Sequence, residues 1–265
     1  MSHQLHVHLL PSLIEADALN GGTAVIIDIL RASSTMITAL QNGATRVIPC
    51  GTTEEAFRLR EQSPNESIIL GGERGGVKIQ GFDYGNSPAE YSTAAVAGRT
   101  VVFTTTNGTK AILKASPAAT ILIGAFLNRA VIADRLLQER RDTHLICAGT
   151  DGIVTGEDVL FAGAIVDELI ASESEVSRRW VLNDSAVMAW SLWRKKVADV
   201  AQGGTDPADQ HGAVCECLAL AMRDTQGGRN LVSLGYDSDI GLCSQLDQFR
   251  IIPKLDRQKN CLTAE

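Results

Sequence analysis

Ala24-Val25-Ile26-Ile27-Asp28-Ile29-Leu30-Arg31-Ala32-Ser33-Ser34-Thr35 is the stretch on which the reading of this chain turns. A short apolar run ends in an acid, and an arginine follows three residues later. A helical pattern then starts at Ala32, carries Met36, Ile37 and Leu40, and stops at Gly43. Apolar runs of this length between turn signals read as buried strands. An unpaired carboxylate buried in a core is costly, so Asp28 at the strand's end needs another explanation. In open α/β sheets, ligands bind at the carboxyl ends of strands. Asp28 and Arg31 are therefore the first two candidate site residues.

The same strand-then-helix texture extends on both sides. Strands are expected at 5–10, 46–50, 67–70, 100–105, 120–125 and 144–148. Helices follow from Thr52, at 110–115 and 127–140, and from Gly156 to about 171. Such alternation predicts a layered α/β/α fold on a mixed, largely parallel sheet. Residues 71–88, rich in glycine and polar side chains, read as one long loop, and long loops in compact folds are often functional. After Ser172 the pattern turns helical, near 184–200, 210–223 and 228–234. Polar segments at 172–177 and 201–209 punctuate it. A last strand is expected at 249–255, with a frayed tail from Asp256. The expectation is one domain over 1–265, the helix-rich part from about 173 being a possible second lobe.

Composition narrows the function. The chain has 265 residues, is 45% hydrophobic and carries a net charge of −7. That balance argues against nucleic acid as the main partner, because phosphate-backbone binding needs a basic surface. No apolar run could cross a bilayer, and the N-terminus lacks a signal-peptide pattern. Six scattered cysteines predict reduced, buried thiols in a cytoplasmic protein. Trp190 and Trp193 share a helical face by spacing and read as core, with a homodimer contact as the alternative. His3, His6 and His8 read as sheet or surface residues.

Three segments could carry chemistry. Thr105-Thr106-Asn107-Gly108-Thr109 lies between a strand and a helix, where hydroxyls and backbone N–H groups can receive phosphate; capping alone would use the same residue types. Glu73-Arg74 sits between glycine pairs, and Arg31 and Arg74 could each fork onto phosphate or carboxylate oxygens. Glu157 and Asp158 open a helix, where acids are favoured by the dipole alone. Together with Asp28 and Glu73 they would also suit magnesium, which takes one or two carboxylates and bridges to substrate phosphate. The P-loop, the dinucleotide fingerprint and the Gly-x-Ser-x-Gly elbow are absent. Cys147 lacks the arginine six residues on that a thiol phosphatase requires.

Five segments in order, 28–35, 72–79, 82–88, 104–109 and 147–150, resemble the 2-phosphosulfolactate phosphatases, the ComB family. The resemblance runs from about 5 to 255. It implies an α/β, magnesium-dependent phosphatase that converts 2-phospho-3-sulfolactate to 3-sulfolactate, a step towards coenzyme M. It also adds Asn86, in the 82–88 motif, to the substrate-binding candidates. A substrate with phosphate, carboxylate and sulfonate would need Arg31, Arg74 and the threonine loop to converge. Asp28 could hold the metal or act as nucleophile. A phosphatase for another phosphorylated hydroxy acid, a non-catalytic phospho-acid binder, and a lyase or isomerase are the alternatives.

Overall fold

The computed structural model describes residues 2–15, 17–172, 180–198, 200 and 207–265. Among them, eleven strands form one sheet. These are β1 (His3–His8), β2 (Thr23–Ile27), β3 (Arg46–Pro49), β4 (Ile68–Arg74), β5 (Val77–Lys78), β6 (Thr100–Thr104), β7 (Thr120–Gly124), β8 (Thr143–Cys147), β9 (Trp180–Leu182), β10 (Pro253–Asp256) and β11 (Cys261–Ala264). Ten α-helices accompany them: α1 (Ala32–Gln41), α2 (Thr53–Gln62), α3 (Thr93–Val96), α4 (Gly108–Lys114), α5 (Arg129–Glu139), α6 (Gly156–Ala171), α7 (Asp184–Trp193), α8 (Pro207–Arg223), α9 (Gln226–Ser233) and α10 (Asp237–Cys243). The layered α/β reading holds. No helix among the described residues is long and apolar enough to cross a membrane.

The strand order is β5-β4-β6-β3-β11-β10-β7-β2-β8-β1-β9. Two parallel blocks, β4-β6-β3 and β7-β2-β8-β1-β9, are joined by the antiparallel hairpin β10–β11. β2 is central to the second block and buried along its whole length, which is why its sequence is a continuous apolar run rather than an alternating one. Phe126 and Phe161 meet edge to face beside it, 5.3 Å between centroids. Trp193 is buried and stacks on Phe126, and both Trp190 and Trp193 donate their indole N–H to Asp167.

The hairpin corrects the expectation of a frayed tail. Residues 256–260 are polar because they turn, not because they end the fold. Asp256 Oδ1 accepts the N–H groups of Gln258 and Lys259 at 3.0 and 3.2 Å, a side-chain-made turn. Cys261 and Leu262 then return into the core. The strand expected at 249–255 is β10, four residues from Pro253 to Asp256 and not the last, and the chain after 173 adds three strands to the same sheet.

Three antiparallel pairings separate the two blocks, so in the ladder they run in opposite senses. On a flat sheet their carboxyl ends would lie at opposite edges. Here they meet: Gly108, after β6, lies so close to Asp28, after β2, that an added Cβ would stand 2.8 Å from Asp28 Oδ2. The sheet therefore turns sharply at the hairpin. Each joint is held by a single register pair, Val47↔Leu262 and Leu122↔Lys254, which leaves room for strong twist. α1 packs against β3, β7, β10 and β11 across the bend.

The expected loop 71–88 is partly strand. β4 continues to Arg74 and folds back through β5, with Glu73 opposite Lys78. Glycines at 75 and 76, both at positive φ, make that tight turn. Of the polar segments expected at 172–177 and 201–209, residues 173–177 and 201–206 lie outside the described residues, and α8 already begins at Pro207.

Candidate functional site

The loop from β2 to α1 is held by its own sequence. The Asp28 N–H donates to Ser33 Oγ at 3.0 Å, the Ser33 N–H returns to the Asp28 carbonyl at 2.8 Å, and Ser34 Oγ donates to the Ile29 carbonyl. Thr35 Oγ1 reaches across to the Asn86 carbonyl at 2.9 Å. The Leu30–Arg31 peptide is cis. These bonds fix Asp28 with one carboxylate oxygen on the Ala32 N–H, 3.2 Å away. Asp28 is buried, and burial pushes its carboxyl up to about 7; the Ala32 N–H opposes this, Glu73 and Glu157 add to it, and Arg31 opposes it.

Arg31 is also buried. Its Nη1 donates to Asp239 Oδ2 at 2.6 Å and its Nη2 to the Gly76 carbonyl at 2.9 Å. The guanidinium lies over the Tyr236 ring, 4.2 Å from its centroid, and Ser87 Oγ donates to the other Asp239 oxygen at 2.7 Å.

Adjacent residues of a strand point to opposite faces, and β4 uses this to separate Glu73 from Arg74. Glu73 is buried and clamps the threonine loop: Oε1 accepts the Thr106 N–H at 2.7 Å, and Oε2 accepts the Gly76 N–H at 2.7 Å and Thr106 Oγ1 at 3.3 Å. Arg74 is exposed. It donates to the Glu73 and Gly51 carbonyls and to Thr104 Oγ1.

Within the loop, Thr105 and Thr109 bond one another, each N–H donating to the other's hydroxyl, at 3.1 and 3.3 Å. Their hydroxyls therefore shape the turn. Among the described residues, the N–H groups of Asn107 and Gly108 have no protein acceptor. Asn107 Oδ1 accepts the Asp151 N–H at 3.1 Å, tying this loop to the one after β8.

The acids at the start of α6 are both buried but differ in use. Asp158 spends one oxygen on the Ile29 N–H at 2.9 Å and the other on the Gly149 N–H at 3.0 Å. Glu157 packs against the Gly227 backbone so closely that no Cβ fits there, and its Oε2 has no hydrogen-bond donor among the described residues. Burial raises both carboxyls; at Asp158 the charges of Glu157 and Asp28 add to it. Cys147, at the end of β8, is fully buried, and burial followed by Asp158 and Glu157 holds its thiol well above the ordinary range. A neutral, enclosed thiol is a poor nucleophile.

These loops enclose a cavity of about 290 Å³. Asp28, Arg31, Glu73, Asn86, Thr106 and Asn107 line it, together with Thr150 and Asp151 from the loop after β8 and Gly227, Asn230 and Ser233 from α9. Of the expected site residues, Arg74, Thr105, Gly108, Thr109, Glu157 and Asp158 do not line it. Sequence reading missed Asp239, Tyr236 and the α9 wall. Only the acid pair Asp237 and Asp239 at a helix start marked α10, and that pattern is common to many surface helices.

A magnesium ion that keeps water and substrate in its shell would find oxygen donors in this cavity. Among the described residues, no three His, Cys, Asp or Glu side chains converge into a ready-made cage. Yet the lining holds a buried oxygen without a donor at Asn86 Oδ1, and Asp28 Oδ2 accepts no hydrogen bond from a described residue; Glu157 Oε2, also without a donor, lies outside the lining. One or two carboxylates with added oxygen donors are what this ion takes from a protein.

Fold and cavity are those of an α/β enzyme that handles a small charged substrate at the carboxyl ends of its strands. The sequence profile of the 2-phosphosulpholactate phosphatase family matches residues 8–258. A probable 2-phosphosulfolactate phosphatase of Caldicellulosiruptor saccharolyticus is 45% identical over 236 residues, covering 87% of this chain and 88% of that protein. Those of Deinococcus radiodurans and Symbiobacterium thermophilum are 38% and 37% identical, covering 95% and 90% of this chain and 93% of each relative. The chain belongs to the 2-phosphosulpholactate phosphatase family, and so to the phosphoric monoester hydrolases.

Proposed function

We propose that this enzyme is a magnesium-dependent phosphatase that hydrolyses 2-phospho-3-sulfolactate to 3-sulfolactate and inorganic phosphate, a reaction of the coenzyme M route. One observation carries the reading: the charge balance of the cavity is wrong for its substrate without a cation. Asp28, Glu73 and Asp151 line it against Arg31 alone, and Arg31 is already paired with Asp239. A phosphate, a carboxylate and a sulfonate would meet net repulsion there. Bound magnesium supplies the missing positive charge at the phosphoryl oxygens.

Asp28 and Asn86 are the residues we assign to the ion, with Glu157 behind Asp28. Asp158 braces the loops after β2 and β8 instead. Arg31, with donors left after its bonds to Asp239 and Gly76, holds a substrate anion. The free N–H of Asn107 donates to a phosphoryl oxygen. Glu73 keeps that loop in place. In the reaction, water adds to phosphorus, the ester P–O bond breaks, and the departing alkoxide takes a proton. Phosphoryl transfer is largely positioning and charge stabilisation, so this set is sufficient in kind. We place the protein in the cytoplasm.

The test is phosphate release from 2-phosphosulfolactate with magnesium and with EDTA, on the wild type and Asp28→Asn. Release that needs the ion and is lost in the variant is expected. Release that survives EDTA removes the metal from the reading. No phosphate left on the protein after single-turnover labelling is expected too; hydroxylamine-labile phosphate on Asp28 would make it the nucleophile instead.

A further inference from the structure

The geometry points to Asp239 as a positioning residue for substrate binding. It acts through Arg31 from the far end of the chain, and it does not itself line the cavity. The inference rests on the reading that Arg31 holds a substrate anion.

The argument begins with freedom. A lone arginine beside a cavity samples many rotamers, and ordering it on binding costs affinity. Arg31 has no such freedom. Both it and Asp239 are about 2% exposed or less, and their ion pair is 2.6 Å long. An ion pair so enclosed is a weak source of stability, because desolvation offsets the attraction. Its worth lies in geometry, and each neighbour adds to that. Ser87 Oγ fixes the second oxygen of Asp239, so the carboxylate cannot rotate away. The Gly76 carbonyl takes Nη2. The Tyr236 ring, just before α10, covers the guanidinium face at 4.2 Å, a cation–π distance. Two of the five guanidinium N–H groups are spent on these partners, and the rest belong to a group whose plane is set before substrate arrives. Preorganisation of this kind raises affinity by removing an ordering cost.

The arrangement also explains the placement of α10. Asp239 and Arg31 are 208 residues apart, and α10 packs on the short helical turn Pro88–Glu90 that follows Ser87. The helix thus meets both the arginine and the serine at once.

The experiment measures KM and kcat for magnesium-dependent phosphate release from 2-phosphosulfolactate, with calorimetric binding of the same compound alongside. The proteins are wild type, Arg31→Lys, Asp239→Asn, Ser87→Ala and the Arg31→Lys/Asp239→Asn double variant, each checked for folding by circular dichroism. Arg31 contacts an anion present in ground and transition states alike, so its loss falls mainly on KM. Asp239→Asn is expected to raise KM and the dissociation constant by about tenfold, the scale of one charge-assisted hydrogen bond. It should add nothing in the Arg31→Lys background, because the two act as one unit. A KM unchanged in Asp239→Asn while Arg31→Lys raises it overturns the inference. So does full additivity in the double variant. A KM unchanged in Arg31→Lys sinks the reading of Arg31 itself. Wild type that binds the compound without releasing phosphate sinks the phosphatase reading, and the binding data then decide on Asp239. Should Asp239→Asn not fold, Ser87→Ala decides: a raised KM that vanishes in the Arg31→Lys background supports the inference, and an unchanged KM overturns it.

Discussion

Glu73 accepts the backbone N–H of Thr106 at 2.7 Å, so the amide that sequence inspection offers to phosphate is already taken by an acid from the neighbouring strand. The same carboxylate holds the Gly76 N–H and thereby ties the β4–β5 turn to the loop after β6. Glu73→Gln keeps one carbonyl oxygen and turns an amine towards the other donors. It should cost about 1–3 kcal/mol, the penalty for buried donors left unmatched, and lower kcat/KM with it. Thermal unfolding and phosphate release, measured together, check this; an unchanged melting temperature would remove the clamp.

Asp28→Asn should separate folding from function. The wild-type carboxyl is buried and its charged form is disfavoured there, so a neutral isostere relieves that cost while keeping an oxygen for the Ala32 N–H. Without magnesium the variant should unfold at the same temperature as wild type or a little higher. Its phosphate release should fall by about 10²-fold or more, because a neutral amide is a poor ligand for a hard cation. Differential scanning calorimetry with added EDTA gives the first quantity, a phosphate assay the second.

A histidine stack on β1 and β8, in the same block as Asp28's strand, should weaken the fold in acid. His8 Nε2 and His144 Nδ1 share a hydrogen bond of 3.1 Å, and His6 stacks on His144 with centroids 5.1 Å apart. Burial first, then neighbouring imidazoles, lower His8 and His144 to about 4 from 6.5. The unfolded chain therefore takes up protons below 6.5 that the folded chain refuses until about 4. The histidines' contribution to stability is flat above that window and declines as pH falls through it, against the raised carboxyls of Asp28, Glu157 and Asp158, which work in the opposite direction. Relative to a His8→Asn/His144→Asn variant, the wild-type urea midpoint should fall between pH 6.5 and 4. Equal slopes in both proteins would place the acid sensitivity elsewhere.

Trp193→Ala should cost about 3–5 kcal/mol, since the ring fills space against Phe126. Asp167→Ala should cost less, about 1–3 kcal/mol, by orphaning the indole N–H of Trp190 and Trp193 together. Chemical denaturation of the two variants ranks them. A Trp193→Ala protein as stable as wild type would contradict its place in the core.

The inner parallel strands β2, β6, β7 and β8 were legible because each is a buried apolar run closed by turn residues, as 24–27 shows; β9, three residues long and only partly buried, was not. Asp28 was legible for the converse reason: a charge at such a strand's end has no business in a core. Arg74 misled because sequence cannot say which of two adjacent residues faces inward once the strand boundary moves by four positions. Asp239 was invisible because its meaning lies in a partner 208 residues away. β11 was missed because a turn built from Asp256 to Asn260 has the composition of a loose end. Both failures concern long-range pairing, which local pattern does not encode.

The hairpin that turns the sheet is made of Pro253–Asp256 and Cys261–Ala264, which follow the other nine strands in chain order. Glu73 and Thr106 belong to one side of it, Asp28 and Thr150 to the other. A ribosome delivers the two halves long before it delivers the piece that brings them face to face. The nascent chain can form its parallel blocks as they emerge, but the cavity between them closes only once residues 253–264 have emerged as well. Catalysis in this fold waits on that hairpin, and a chain cut before Cys261 should leave both blocks without a common active site.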